Sequence, residues 1–307
     1  MGITFESIKK DLVSLGVKPG DTVFLRISYK AIGKLEGGPR IFIDAIMELL
    51  GEEGTIILTA FPTSYINKLR LFHRKDAADA KKHLKSETGA MSNVAMVYPG
   101  AFISKRVDFP FVAIGKNAKY LTENHTYERP GYWILEEAIE KFQCKCLRIG
   151  GESFIGTTHM SLSHSLHIKG EYQIAPRYGL YVKDDQGLTW RENENVIFCA
   201  SALKNYLPSI IDRIKLSEGK VGDGYAIITD MKKSLEAEEE LLKEDLRQIL
   251  CDNPDCWICR SSFSFSDTPR FVFFTRKFFS ILLSNSSGKK GLIRALIENF
   301  IFATKNQ

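Results

Sequence analysis

Three of the chain's six histidines, His159, His164 and His167, fall inside the stretch 147–171, just after an apolar run and a glycine turn. Imidazole takes and returns a proton near neutral pH, so such a cluster at the end of a strand is a candidate base site. With Thr158 as the cap of a helix running to about Ile168, His164 and His167 stand one turn apart and Glu171 follows His167 by four residues, the arrangement of a base and its orienting carboxylate. His159 stands instead at the mouth of that helix beside Thr157 and Thr158, where N–H groups and hydroxyls can surround an oxyanion. Structural roles for one or two of these histidines remain equally open at this point.

Other motifs carry less. Gly33, Gly37 and Gly38 precede a helix with Pro39 in its first turn, but G-x-x-x-G-G is neither the dinucleotide fingerprint nor the P-loop, and spacing alone makes it a turn. Cys251, Cys256 and Cys259 form C-x4-C-x2-C, half of a zinc site. A structural zinc needs a fourth ligand, so unless a distant His or Cys supplies it the reading is spare thiols and no metal. No G-x-S-x-G elbow supports a serine hydrolase.

The elements that must position these residues alternate. A helix over 4–15 is capped by Thr4 and stopped by Gly16; a strand at 22–27, the glycine loop, a helix over 39–50 and the strand TIILTAF follow. Further on come a short helix near 92–97, a strand at 111–114, a helix over 132–142, strands at 146–149, 179–183 and 196–200, and an acidic helix over 234–250. The charged segment 66–90 lacks an apolar stripe over most of its length and is expected to be an exposed helix or a lid. This alternation predicts an α/β fold: a single large domain over 1–260, with a mainly parallel central sheet flanked by helices.

Composition sets the outer bounds. The chain has 307 residues, 44% hydrophobic and 26% charged, enough for one large domain or two small ones. No apolar run reaches the roughly 18–20 residues of a membrane-crossing helix, and no signal-like segment opens the chain, so a cytoplasmic protein with reduced thiols is expected. Residues 260–307 hold eight Lys or Arg against Asp267 and Glu298, a balance of +6, which leaves −1 for the rest of the net +5. The extension 261–307, basic and rich in Phe, suits closing elements packed on the main domain, or a peripheral contact with an anionic membrane or a partner. No nucleic-acid partner is expected.

Several segments together carry a resemblance: LGVKPGDTVFLRISYKAIGKLEGG at 15–38, GEEGTIILTAFPT at 51–63, TGAMS at 88–92, FVAIGKNAKYLTENH at 111–125, CLRIGG at 146–151 and GKVGDG at 219–224. In order and spacing over roughly 5–260, the chain resembles the aminoglycoside 3-N-acetyltransferase family. The resemblance implies that family's α/β fold, acetyl-coenzyme A as co-substrate, no metal, and an amino-sugar amine as acceptor: an aminoglycoside or a surface-polysaccharide precursor. The alternative is a family member that binds a ligand or partner without turnover.

The resemblance also assigns residues. The stretch around RISYKAIG lines the family's cofactor site with the glycines that follow, which marks Ser28, Gly33, Gly37 and Gly38. Arg26 stands where the family has another residue, and its planar fork suits a coenzyme A phosphate. Lys105 and Arg106 likewise replace family residues in SKRVDFP, and Arg106 is counted with the cofactor-binding set. The family's catalytic threonine, histidine three residues on and glutamate three beyond that are not reproduced in their usual spacing. Counting forward from Gly150 gives Thr157 and then Met160, next to His159; counting back from Pro176 gives His167, with Glu171 one position late. His159 and His167 are therefore rival bases, His159 preferred for its threonine neighbours, and His164 reads as the bystander.

Overall fold

A computed structural model describes residues 2–62, 68–69, 77–79, 82, 85–151, 156–170, 178–192 and 199–254, and then 256, 259, 260, 263, 272, 275, 276, 278 and 279. Thr4 caps helix α1 (Phe5–Ser14) reciprocally: Ser7 N–H donates to Thr4 Oγ1 at 3.2 Å and Thr4 N–H to Ser7 Oγ at 3.0 Å. Its stripe buries Ile8 and Leu12 completely, and Gly16 turns the chain out at φ +82°. Strand β1 (Thr22–Ile27), the single turn α2 (Tyr29–Ile32), helix α3 (Arg40–Leu50) and strand β2 (Thr55–Thr59) follow as the glycine-punctuated pattern requires. Helix α3 buries Phe42, Ile43, Ile46 and Leu50, each worth about 1.5–3 kcal/mol of transfer free energy.

The remaining elements are β3 (Lys68–Leu69), β4 (Ala78–Asp79), α4 (Ala90–Met96), β5 (Ala101–Ile103), β6 (Phe111–Gly115), α5 (Ala118–Asn124), α6 (Trp133–Phe142), β7 (Lys145–Ile149), α7 (Thr158–Ile168), β8 (Tyr178–Asp184), β9 (Gly187–Glu192), α8 (Leu203–Ile214), β10 (Lys215–Val221), β11 (Gly224–Asp230) and α9 (Met231–Glu244). The large sheet has the order β10-β11-β7-β1-β2-β6-β5. Its centre, β7-β1-β2, is parallel, and the strands outside it pair antiparallel. On one face Val23, Leu25, Ile56, Leu58, Leu147 and Ile149 join α1, α3 and α4 in a single apolar core. The alternate residues carry an aromatic cluster, in which Phe24 meets Phe111, Phe111 meets His125, and His125 stacks on Trp133 of α6.

A smaller sheet holds β3, β4, β8 and β9, with β8 at its centre. The segment 66–90 departs here from the expected helix: its described parts include two short strands paired with β8. A charged run without an apolar stripe has no face to bury as a helix, and at Lys68–Leu69 and Ala78–Asp79 the backbone pairs with β8 instead. The strand expected at 196–200 lies mostly outside the described residues, and Ala200–Ala202 is a 3-10 turn. The acidic helix is shorter than expected, ending at Glu244, and the hairpin β10–β11 was not foreseen because KLSEGKV alternates around polar residues with little apolar signal.

The chain separates into two compact units, one of residues 1–158, 178–194 and 210–237, the other of 159–177, 195–209 and 238–307. Both sheets belong to the first. Among the described residues no helix is long and apolar enough to cross a membrane. Most of the 261–307 extension lies outside the described residues.

Candidate active site

Within the first unit a cavity of about 530 Å³ opens at the carboxyl ends of β1, β2 and β7, lined by Leu25 to Lys30, Leu58, Thr59, Thr88 to Ser92, Arg148, Gly150 and Gly151. From β1 the chain goes to β2 on one side and later to β7 on the other, so the cavity sits at a topological switch point, the place where open α/β sheets bind ligands. Ser28 N–H donates to Ile149 O at 2.9 Å, Gly150 N–H to Tyr225 O at 2.8 Å and Asp223 N–H to Ile32 O at 2.9 Å, which fixes α2 over the sheet end. Two glycines permit that closeness. A Cβ on Gly150, at φ +62°, would run into Ala31, and one on Gly33, at φ +96°, into Asp223.

The lining is cationic. Arg26 and Arg148 are register partners on adjacent strands, both half-buried, and Lys30 is added from α2. No carboxylate is among the described lining residues. Like charges side by side on a sheet repel, and an anion near both would relieve that repulsion. Burial pulls the Arg26 guanidinium below its ordinary value, while the Cys146 and Tyr132 groups act in the opposite sense. Burial holds the Tyr132 phenol well above its ordinary value, against the field of Arg26, so at neutral pH the phenol keeps its proton. Opposite, Thr88 Oγ1 donates to Thr59 O at 2.8 Å and lies 2.7 Å from Ser86 Oγ and 3.1 Å from Ser92 Oγ, a short chain of hydroxyls in the wall.

Of the residues expected to bind cofactor, Arg26 and Ser28 line the cavity, while Gly33 does not and instead ends α2 against Asp223. Gly37 and Gly38 do not line it; at φ +93° and +84° they make the turn that launches α3. Arg106 does not line it either. It is 1% exposed, with Nε donating to Asp108 Oδ1 at 3.0 Å, Nη2 to Asp108 Oδ2 at 2.6 Å and Nη1 to Arg129 O at 2.7 Å. Beside it His125 is fully buried, Nδ1 3.0 Å from Ser104 Oγ and Nε2 3.0 Å from Gly131 O. A carbonyl only accepts, so Nε2 carries the proton. Burial, then the charge of Arg106, pushes this imidazole down to about 4.

The histidine segment divides by position. Thr157 and Thr158 are fully buried in the first unit, behind a glycine, Gly156, that packs on Phe24. His159 follows on the first turn of α7, half-buried, and His167 is exposed near its end. Glu171, and with it the pairing expected with His167, lies outside the described residues. In the second unit His164, read from sequence as the bystander, has Nδ1 2.8 Å from Glu239 Oε1, and Ser161 Oγ donates to Glu238 Oε2 at 3.1 Å. The carboxylates come from α9, so no local spacing could have announced this pair. Arg148, Lys30 and the Thr88 to Ser92 wall were also missed as site residues, although CLRIGG and TGAMS were already among the resembling segments.

The family model for aminoglycoside 3-N-acetyltransferase matches residues 24–243, more than half of the chain. The chain belongs to the aminoglycoside 3-N-acetyltransferase family. It is 28% identical over 140 residues to aminoglycoside N(3)-acetyltransferase IX of Micromonospora chalcea, which covers 42% of this chain and 50% of that enzyme. Against aminoglycoside N(3)-acetyltransferase VIII of Streptomyces fradiae it is 30% identical over 148 residues, 42% of this chain and 49% of that one. The chain thus spans about half the length of the curated acetyltransferases it matches. In fold it is similar to the aminoglycoside acetyltransferase AAC(3)-IVa apoenzyme, with a TM-score of 0.68 at 19% identity over 83% of this chain and 93% of that one. A similar likeness, TM-score 0.65 at 18% identity over 80% and 97%, links it to AAC-IIIb in binary complex with CoASH.

Proposed function

We propose that the chain transfers the acetyl group of acetyl-coenzyme A to an amine of an amino sugar, and that the cavity at the β1/β7 ends holds the phosphates of the donor. The paired Arg26 and Arg148 carry this reading, because two half-buried guanidiniums with Lys30, and no carboxylate among the described lining residues, suit a polyanion. The Ser28 hydroxyl adds a neutral donor. The basic 66–90 segment and C-terminal extension favour a less cationic or nucleotide-linked sugar over a heavily charged antibiotic as acceptor.

The acceptor amine is protonated near pH 7 and must lose that proton before its nitrogen attacks. His159 is the proposed base, at the start of α7 beside Thr157, whose backbone N–H and hydroxyl are the proposed donors to the oxyanion. The ammonium proton passes through His159 to solvent before attack. As the C–N bond forms and the C–S bond breaks, His159 takes the second N–H proton and returns it to the leaving thiolate, so the coenzyme departs as its thiol. No residue is acylated. A second reading makes His164 the base, since it has a carboxylate partner in Glu239; His167 with Glu171 is the third.

Acetyl-coenzyme A with a panel of aminoglycosides, free amino sugars and nucleotide-linked amino sugars, followed by mass spectrometry of the product, tests the proposal. An acetylated amine is expected. His159→Ala should slow its formation about 10²- to 10⁴-fold and leave coenzyme A binding unchanged, and the same loss in His164→Ala alone would transfer the role. Coenzyme A binding with no product on any amine would identify a non-catalytic family member instead.

A further inference from the structure

The cysteine triplet gains a fourth member in three dimensions. Cys199, Cys251, Cys256 and Cys259 all belong to the second unit, and their sulfurs lie within 4.8 Å of one another. All four are free thiols; Cys251 and Cys259 are buried and the other two half-buried. We propose that these four cysteines form a structural zinc site that ties the 195–209 segment to the C-terminal part of the second unit.

The geometry suits that ion. Four thiolates around zinc at about 2.3 Å form a tetrahedron whose sulfur-to-sulfur edge is about 3.8 Å, so a cluster this tight needs only small side-chain adjustments to close. Cys256 and Cys259 have the two-residue spacing of a chelating turn, and Cys256 N–H donates to Asn253 O at 3.1 Å and Arg260 N–H to Cys256 O at 3.0 Å, which folds that turn. Cys251 N–H points at Cys259 Sγ at 3.3 Å, a contact that stabilises a thiolate. Arg260 Nη2 donates to Cys251 O at 2.8 Å, placing a cation beside a cluster whose four thiolates and one zinc would sum to −2. All-sulfur ligation leaves no open position, so the site is structural, and binding releases the four thiol protons. This departs from the metal-free reading of the sequence, where the triplet had no visible fourth ligand.

Metal analysis of the full chain, produced in zinc-supplemented medium and purified without chelator, should find about one zinc per chain. Cys199→Ser should lower that at least tenfold, while Cys144→Ala, a cysteine of the first unit, should not change it. Cobalt exchanged for zinc should give thiolate charge-transfer and tetrahedral ligand-field bands. If Cys199→Ser does not fold, the wild-type stoichiometry and the cobalt spectrum still decide. A metal-free wild-type chain that also shows no thiolate bands with cobalt, or an intact mass showing these thiols joined as disulfides, would overturn the proposal.

Discussion

His125 shows how a single residue's surroundings turn into a measurable property. The folded chain keeps it neutral down to about 4, whereas an unfolded histidine gains its proton near 6.5. Between those values the unfolded state binds more protons, so stability falls as pH falls, by about 3 kcal/mol over the window if the whole shift is expressed. Urea unfolding at pH 7, 6, 5 and 4 should show this loss, and His125→Asn should flatten it; a wild-type chain equally stable at pH 7 and 4 would contradict the burial argument. This burial is not legible in the sequence, since FVAIGKNAKYLTENH marks His125 only as the end of a family-like segment. At the same scale, Arg26 was legible because it departs from the family pattern at a site-lining position. Arg106 departs as well, yet its guanidinium is taken up by Asp108, two residues on and equally buried. Residue type alone does not separate a cavity-lining arginine from one held in a buried ion pair; the packing around it does.

Elements were legible where periodicity and punctuation agreed. Thr4 and Gly16 bracket α1 as expected, and the parallel β7-β1-β2 centre follows from strands joined through helices. What resisted was pairing at a distance: β3 and β4 exist only because β8 is there to receive them, and the Glu239 partner of His164 comes from another helix. The connection from β7 to the rest of the site depends on Gly150. Gly150→Ala combines a left-handed backbone with a collision against Ala31, and should cost about 1–3 kcal/mol while weakening coenzyme A binding as α2 is pushed from the sheet end. Gly100→Ala has the same kind of backbone, at φ +79°, but open space around the new methyl; it should lose only about 1 kcal/mol and bind coenzyme A normally. Thermal melts and a binding titration on both variants separate backbone strain from displacement of α2, and equal behaviour of the two would refute the close-approach account.

At the scale of the molecule, the first unit holds a recognisable acetyltransferase-family sheet with a cationic cavity at its switch point, and the second gathers four cysteines that only folding brings together. The fold class was readable because it is written in local alternation; the four-cysteine cluster was not, because Cys199 stands far upstream of the triplet. Function rests on whether the cavity binds the donor's phosphates. Calorimetric titration of coenzyme A into the wild-type chain and Arg148→Glu asks this directly. Wild type should bind with an affinity that weakens as salt rises, and Arg148→Glu, which replaces a cation of the paired arginines by an anion, should bind at least tenfold more weakly, a loss of about 1.4 kcal/mol or more. Equal affinity of the two chains, or no binding by the wild type, would contradict the assignment of this cavity to the acetyl donor.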